Sequence, residues 1–221
     1  MPLRGRVNEG WIRPRELVRA QLAACGKRLK TVFAKELKSL PVGRPVILAT
    51  ASDELQRVPH ARLRRVRGQV TYLPAEAIEA PRVVVLRGGF ALPPVEGVCV
   101  VGASYDLEDE DAAPRAESHA GNLERLQQII PNSLFSPAGS FEGRVSFRCV
   151  APDRVPIVGE IGDGVYAALA FGSRGLVWST FAAEVIAAEL EGEPLPIEGK
   201  LADAMHPGRF ARRALARGQQ S

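Results

Sequence analysis

Apolar positions recur at helical spacing in three stretches and crowd into short runs between them. Over residues 13–22, Pro14 stands at a first turn, and Leu17, Val18 and Leu22 follow about one turn apart. That spacing predicts a helix stopped near Gly26. Residues 116–130 place Leu123, Leu126, Ile129 and Ile130 on one face of an amphipathic helix. Residues 176–191 predict a longer helix with alanine and other small residues turned inward, closed by Gly192 and Pro194. Between these, Pro45 to Thr50 is a continuous apolar run, the signature expected of a strand covered on both faces. From Arg64 the texture becomes β-like. Residues 68–73, 82–86, 89–92 and 98–102 are short runs parted by Pro and Gly and read as a mainly antiparallel layer. Residues 132–140 read as a loop, residues 144–150 and 165–171 as strands, and Gly159, Gly162 and Gly164 as a turn before the second of these.

Charge changes this picture. The chain of 221 residues carries a formal net charge of +4, unevenly distributed. Residues 1–67 hold 16 Lys/Arg against 5 Asp/Glu, residues 68–199 hold 8 against 19, and the last 22 residues hold five against one. A basic first third and a basic tail, with Arg209, Arg212, Arg213 and Arg217 three to four apart, form a phosphate-attracting face if they meet in space. No apolar run approaches the roughly 20 residues of a membrane span. The first residues lack the apolar core of a secretory signal, and a cytoplasmic location is the expectation. Cys25, Cys99 and Cys149 are odd in number and have no CxxC pair, so they read as buried reduced thiols. The acidic run Asp106 to Asp111 lacks the glycine and distal glutamate of a calcium loop and reads as a solvated loop. His60 and His119 have no Ser or Cys partner nearby in sequence, which argues against a catalytic triad.

The candidate chemistry lies in two arginines. Arg148 opens a segment running to Gly159, and Arg174 sits within Gly172 to Leu176, where a strand passes into the last helix. A guanidinium fork holds a carboxylate through two parallel charge-assisted hydrogen bonds. A glycine-flanked helix start offers unpaired backbone N–H groups. Local pairing with Asp153 or Glu160 is the structural alternative for either arginine.

These motifs occur in order with Gly10 to Pro14, Val46 to Thr50, Arg67 to Val70, Gly102 to Asp106, Gly192 to Pro196 and His206 to Phe210. Together they resemble the FAD-dependent amine oxidoreductases of the D-amino-acid oxidase superfamily, and more narrowly the oxidoreductase half of the bifunctional enzymes that complete aminomethyl-type modification of wobble uridine in tRNA. The resemblance implies a mixed α/β (α+β) fold: an incomplete FAD-binding Rossmann-like lobe and a mainly antiparallel substrate lobe. Residues 1–61 and 146–221 would form the first lobe and 62–145 the second. It implies FAD as cofactor, with Gly172, Ser173, Arg174, Gly175 and Leu176 lining the flavin ring, and Arg148, Arg174 and Tyr105 gripping the substrate carboxylate. It implies tRNA as partner, met in part by the arginines of the tail. No GxGxxG occurs, so the ADP-binding βαβ unit and the methyltransferase half are expected to be missing here. Ala51 stands where the family often has glycine, and Val177 and Trp178 are bulkier than usual at that helix start. Two further readings stay open: an oxidase of free glycine, sarcosine or a D-amino acid, and a non-catalytic remnant.

Overall fold

The computed structural model describes residues 10–33, 39–52, 57–131 and 141–218; the loop expected over 132–140 lies outside them. In chain order its regular elements are α1 (Pro14–Ala24), β1 (Val46–Ala51), β2 (Arg64–Pro74), β3 (Val85–Leu86), β4 (Phe90–Ala91), β5 (Val98–Gly102), β6 (Asp106–Leu107), α2 (Ala116–Ile129), β7 (Glu142–Val150), β8 (Ile157–Gly162), β9 (Val165–Leu169), α3 (Gly175–Glu191), α4 (Gly199–Met205) and α5 (Arg209–Ala216). They fall into two compact units, Met1–Thr31 with Arg67–Ser146, and Val32–Val66 with Phe147–Ser221. Each unit is thus made from two separate stretches of chain. The described residues up to Thr31 group with the antiparallel layer.

In the first unit an antiparallel sheet runs in the order β3-β4-β5-β2-β6, with β7 also pairing β2. Val70 faces Gly102 and Leu73 faces Cys99 across the β2–β5 ladder. Leu73, Ile78, Ala91, Cys99, Val101 and Leu126 form the apolar core, which α2 closes. Burying Leu126 alone contributes about 1.5–3 kcal/mol. The rest of the contact between α2 and β2 is polar. Arg67, Gln69 and Thr71, at alternate positions of β2 and therefore on one face, are all completely buried. Asn122 of α2 donates to the carbonyl of Gln69 (2.9 Å) and to the Thr71 hydroxyl (3.1 Å), and the Thr71 hydroxyl meets His119 Nδ1 at 2.9 Å. Burial lowers the pKa of His119. Gly143 lets β7 approach this seam: a Cβ there would stand 2.3 Å from the Val70 carbonyl oxygen and 2.7 Å from His119 Cε1. The helix α1 buries no residue, and Val18 and Leu22 are half-exposed along it.

In the second unit β1 runs parallel to β9, and β9 antiparallel to β8. Helix α3 packs Ala182, Val185 and Ile186 against Val158 and Tyr166 of this sheet. Gly192 then ends it in the left-handed conformation (φ 69°) that an L-residue with a Cβ adopts poorly. The apolar run of β1 is covered less than expected. Only Leu48 is buried, and Ile47 is 50% exposed, because among the described residues β1 pairs with β9 alone and forms an edge. Cys99 and Cys149 are buried, whereas Cys25 is exposed, contrary to the expectation for all three. No helix among the described residues is long and apolar enough to cross a membrane.

Candidate functional site

The carboxyl ends of β1 and β9 lie side by side, and both carry backbone strain. Ala51 (φ 66°) and Ala170 (φ 59°) adopt left-handed conformations that cost a residue with a Cβ about 1–3 kcal/mol each. The two are joined by a hydrogen bond from Ala170 N–H to the Ala51 carbonyl, 2.9 Å. Gly172 follows at φ 58°, a conformation that favours glycine, and a Cβ on it would crowd Val150 Cγ1 at 3.1 Å. A 3-10 turn, Gly172–Arg174, then feeds α3. The N-cap position of α3 is Arg174, which makes no side-chain cap, and the first turn is acid-free. The positive end of the helix dipole is therefore open to an electron-rich partner. Leu176 (46% exposed) and Val177 (70% exposed) add an open apolar face beside them.

The predicted substrate residues are distributed between the units. Val150 and Phe171 form an antiparallel bridge; Arg148 lies two residues before it and Arg174 three residues after it. Arg148 is part-buried, with Nη1 out of contact with solvent, while Arg174 is exposed. Tyr105, 44% exposed, belongs to the first unit. Its neighbours are fixed: Ser104 accepts from Gln69 N–H (3.1 Å) and donates to Asp106 (2.7 Å), and Asp106 accepts from Arg67 (3.1 Å).

Asp153 holds other arginines than the two considered at first. Arg209, only 3% exposed, donates to both of its carboxylate oxygens (2.9 and 3.1 Å) and to the carbonyls of Met205 (2.7 Å) and Val155 (2.8 Å). Arg213 donates to the same carboxylate. Burial opposes ionisation of Asp153, but the hydrogen bonds from Arg209, Arg213 and Val155 N–H bring its pKa down to about 2. Arg209 is thereby withdrawn from the RNA contacts expected of the tail. The acidic run is also more ordered than a solvated loop. Arg115 pairs with Asp109 and Asp111, and Arg67 with Asp106; among the described residues no group of acidic, His or Cys side chains could hold a metal ion.

A parallel strand pair with strained carboxyl ends, one of which passes into an uncapped helix start, is a ligand site common to α/β sheets. Residues 6–189 match the FAD dependent oxidoreductase (DAO) family, and the chain belongs to that family. It is similar to the tRNA 5-methylaminomethyl-2-thiouridine biosynthesis bifunctional protein MnmC of Burkholderia pseudomallei, 39% identical over 95% of this chain and 39% of that protein. The same protein of Paraburkholderia phymatum is 39% identical over 96% of this chain. The chain thus spans about two fifths of the length of the curated relatives it matches. Among solved structures, glycine oxidase from Bacillus cereus overlays 69% of this chain and 44% of its own at TM-score 0.56 and 18% identity. L-proline dehydrogenase from P. horikoshii overlays 69% and 41% at TM-score 0.53 and 17% identity. These likenesses show the fold: mixed α/β with antiparallel sheets, as in FAD-dependent oxidases.

The strained strand ends and helix tip fit the FAD of this family. A flavin ring is flat, apolar on its faces and gains electron density at one edge on reduction. Gly172 leaves room beside the backbone, Leu176 presents an exposed apolar side chain, and the start of α3 carries the positive end of the helix dipole. The left-handed conformation of Ala170 is not legible in the sequence, since nothing in the identity of an alanine announces it.

Proposed function

We propose that this chain catalyses the FAD-dependent oxidative removal of the carboxymethyl group from carboxymethylaminomethyl-(2-thio)uridine at the tRNA wobble position, leaving aminomethyluridine. The observation that carries this reading is the 39% identity, along nearly the whole chain, to proteins of tRNA 5-methylaminomethyl-2-thiouridine biosynthesis. The second unit would hold the flavin and the first would supply the substrate layer. FAD, when bound, supplies the two-electron acceptor for the carbon–hydrogen bond beside the substrate amine. Water then hydrolyses the substrate imine, releasing glyoxylate.

The residues of this chain would do the positioning. Arg148 and Arg174 hold the carboxylate, Tyr105 donates to it, and Gly172, Ser173, Arg174, Gly175 and Leu176 line the flavin. Fixing the carboxylate orients the reacting C–H bond, which is where the protein contributes to rate. On the tRNA side, Arg213 and Arg217 of the tail meet phosphates, and a tRNA substrate fits a cytoplasmic reaction.

The test is direct. Purified chain is reconstituted with FAD, its visible spectrum recorded, and glyoxylate release measured with tRNA carrying the carboxymethylaminomethyl group. A flavin band and stoichiometric glyoxylate are expected. Turnover of free glycine or sarcosine with none on the tRNA would replace the reading with that of an amino-acid oxidase, and a chain that binds no flavin would replace it with a non-catalytic remnant. Arg174→Lys keeps charge but loses the planar fork and is expected to weaken tRNA substrate binding by about 1.5–3 kcal/mol, measured as a rise in KM in the flavin-loaded enzyme.

A further inference from the structure

A cleft of about 420 Å³ in the second unit is lined by His60, Arg62 and Arg64 from one stretch of chain and by Asp153, Arg213 and Arg217 from others. The two walls come from the basic first third of the sequence and from its basic tail, brought together by the fold. We infer that this cleft is a binding site for the phosphodiester backbone of RNA, and that the turn from His60 to Arg64 is the wall that faces the tail. The inference rests on the tRNA reading above and names the surface that would carry it.

Three observations support the assignment. The first is charge. Arg62, Arg64, Arg213 and Arg217 line the cleft with one carboxylate among the described residues, Asp153, which the buried fork of Arg209 holds and Arg213 also contacts. The cleft therefore keeps a surplus of positive charge in a concave space, where a phosphate oxygen is attracted most. The second is backbone conformation. His60 (φ 62°) and Arg62 (φ 40°) are both left-handed without being glycine. They flank Ala61, whose methyl is buried (3% exposed) in the core with Val58, Cys149 and Phe210. Anchoring Ala61 this way turns the side chains on either side of it out to the cleft, and strain of this kind persists where the surrounding structure enforces it. The third is the helix opposite. Phe210 and Ala214 bury one face of α5, while Arg213 and Arg217, four residues apart, share the face toward the cleft. Arg212 points elsewhere and donates to the Asp203 carbonyl at 3.2 Å. The tail thus contributes through Arg213 and Arg217, not as a uniform basic stripe.

The phosphate chemistry could also be supplied by the diphosphate of FAD, and the experiment separates the two sources. Binding of an unmodified tRNA transcript to the flavin-loaded chain is followed by fluorescence anisotropy across a salt series. Arg62→Gln/Arg217→Gln removes one exposed charge from each wall. Arg82→Gln/Arg87→Gln removes two exposed charges from the first unit as a matched control. The cleft pair is expected to lower tRNA affinity at least tenfold near 0.1 M salt and to reduce the slope of log K against log[salt] by about 1.5, at roughly 0.7–0.9 per phosphate contact. It is expected to leave FAD retention and the far-ultraviolet spectrum unchanged, and the control pair is expected to do neither. If wild type binds tRNA with a steep salt slope and the cleft pair changes affinity no more than the control, the cleft assignment falls while the tRNA reading stands. If wild type itself does not bind tRNA, the tRNA reading falls with it. If the cleft pair loses FAD and keeps tRNA, the site belongs to the cofactor and the inference is overturned.

Discussion

Each unit is built around one buried arginine, and the two are satisfied in opposite ways. Arg67, completely buried, spreads its donors over the carbonyls of Asp111 (2.8 Å) and Ala113 (2.7 Å), the side chains of Gln69 (2.9 Å) and Ser118 (3.1 Å), and one partly exposed carboxylate, Asp106 (3.1 Å). Arg209 instead places a two-pronged grip on a single carboxylate that a second arginine also holds. The first arrangement organises a loop, because two of its acceptors are backbone carbonyls of the segment between β6 and α2. The second ties α5 to the segment after β7 through charge, and part of that charge balance survives if one partner is lost.

The contrast can be broken most forcefully at Arg67. Arg67→Met removes a completely buried guanidinium from five acceptors at once and should cost about 3–5 kcal/mol, read as a shift of the urea midpoint. Arg67→Lys should recover only part of this, since an ammonium cannot reach five acceptors. Arg209→Met should cost less, about 1.5–3 kcal/mol, because Arg213 still faces Asp153. Trp11 lies in the first unit and Trp178 in the second, so Trp11→Phe and Trp178→Phe backgrounds report each unit separately by fluorescence.

The same comparison has a pH signature. Asp153 titrates near 2 in the folded chain, below its ordinary 3.8. Its contribution is complete above that ordinary value and is lost as pH falls from about 3.8 toward 2. Asp153→Asn should flatten the fall in urea midpoint over that window while lowering the midpoint at neutral pH. Glu189 near the end of α3 is the reverse case. Burial raises its pKa, His206 partly offsets this, and Glu160 adds to it, while its Oε2 is buried without a hydrogen bond. A raised carboxyl costs nothing below its ordinary value and costs more as pH climbs through the folded one. Glu189→Gln should therefore raise the urea midpoint slightly at pH 7 and leave it unchanged near pH 4, the smallest of these effects.

Much of the fold was readable from side-chain spacing, and the failures have physical causes. The helix over 116–130 was legible because Leu126 and Ile129 sit on the stripe that spacing selects. That the same face also buries His119 and Asn122 was hidden, because a polar residue enters a core only when a partner on another strand satisfies it. The partners Thr71 and Gln69 are about 50 residues away in sequence. A trace did exist: Arg67, Gln69 and Thr71 alternate along β2, and such a polar row in an otherwise apolar strand is consistent with a buried network. The run from Pro45 was read as covered because apolar content reports what a strand could bury, not how many neighbours it has. At the candidate site, the glycines of 172–175 were legible as a turn into a helix. The left-handed conformations of Ala51 and Ala170 were not, since a methyl side chain carries no mark of the backbone beneath it.

The pairing of β1 with β9 has a consequence for how the chain is made. Val46 meets Val165, so the earlier strand leaves the ribosome more than a hundred residues before its neighbour exists. At about 5–20 residues per second of synthesis, that apolar segment waits roughly 6–24 s without its ladder. It is the stretch of the nascent polypeptide on which a holding chaperone would act first.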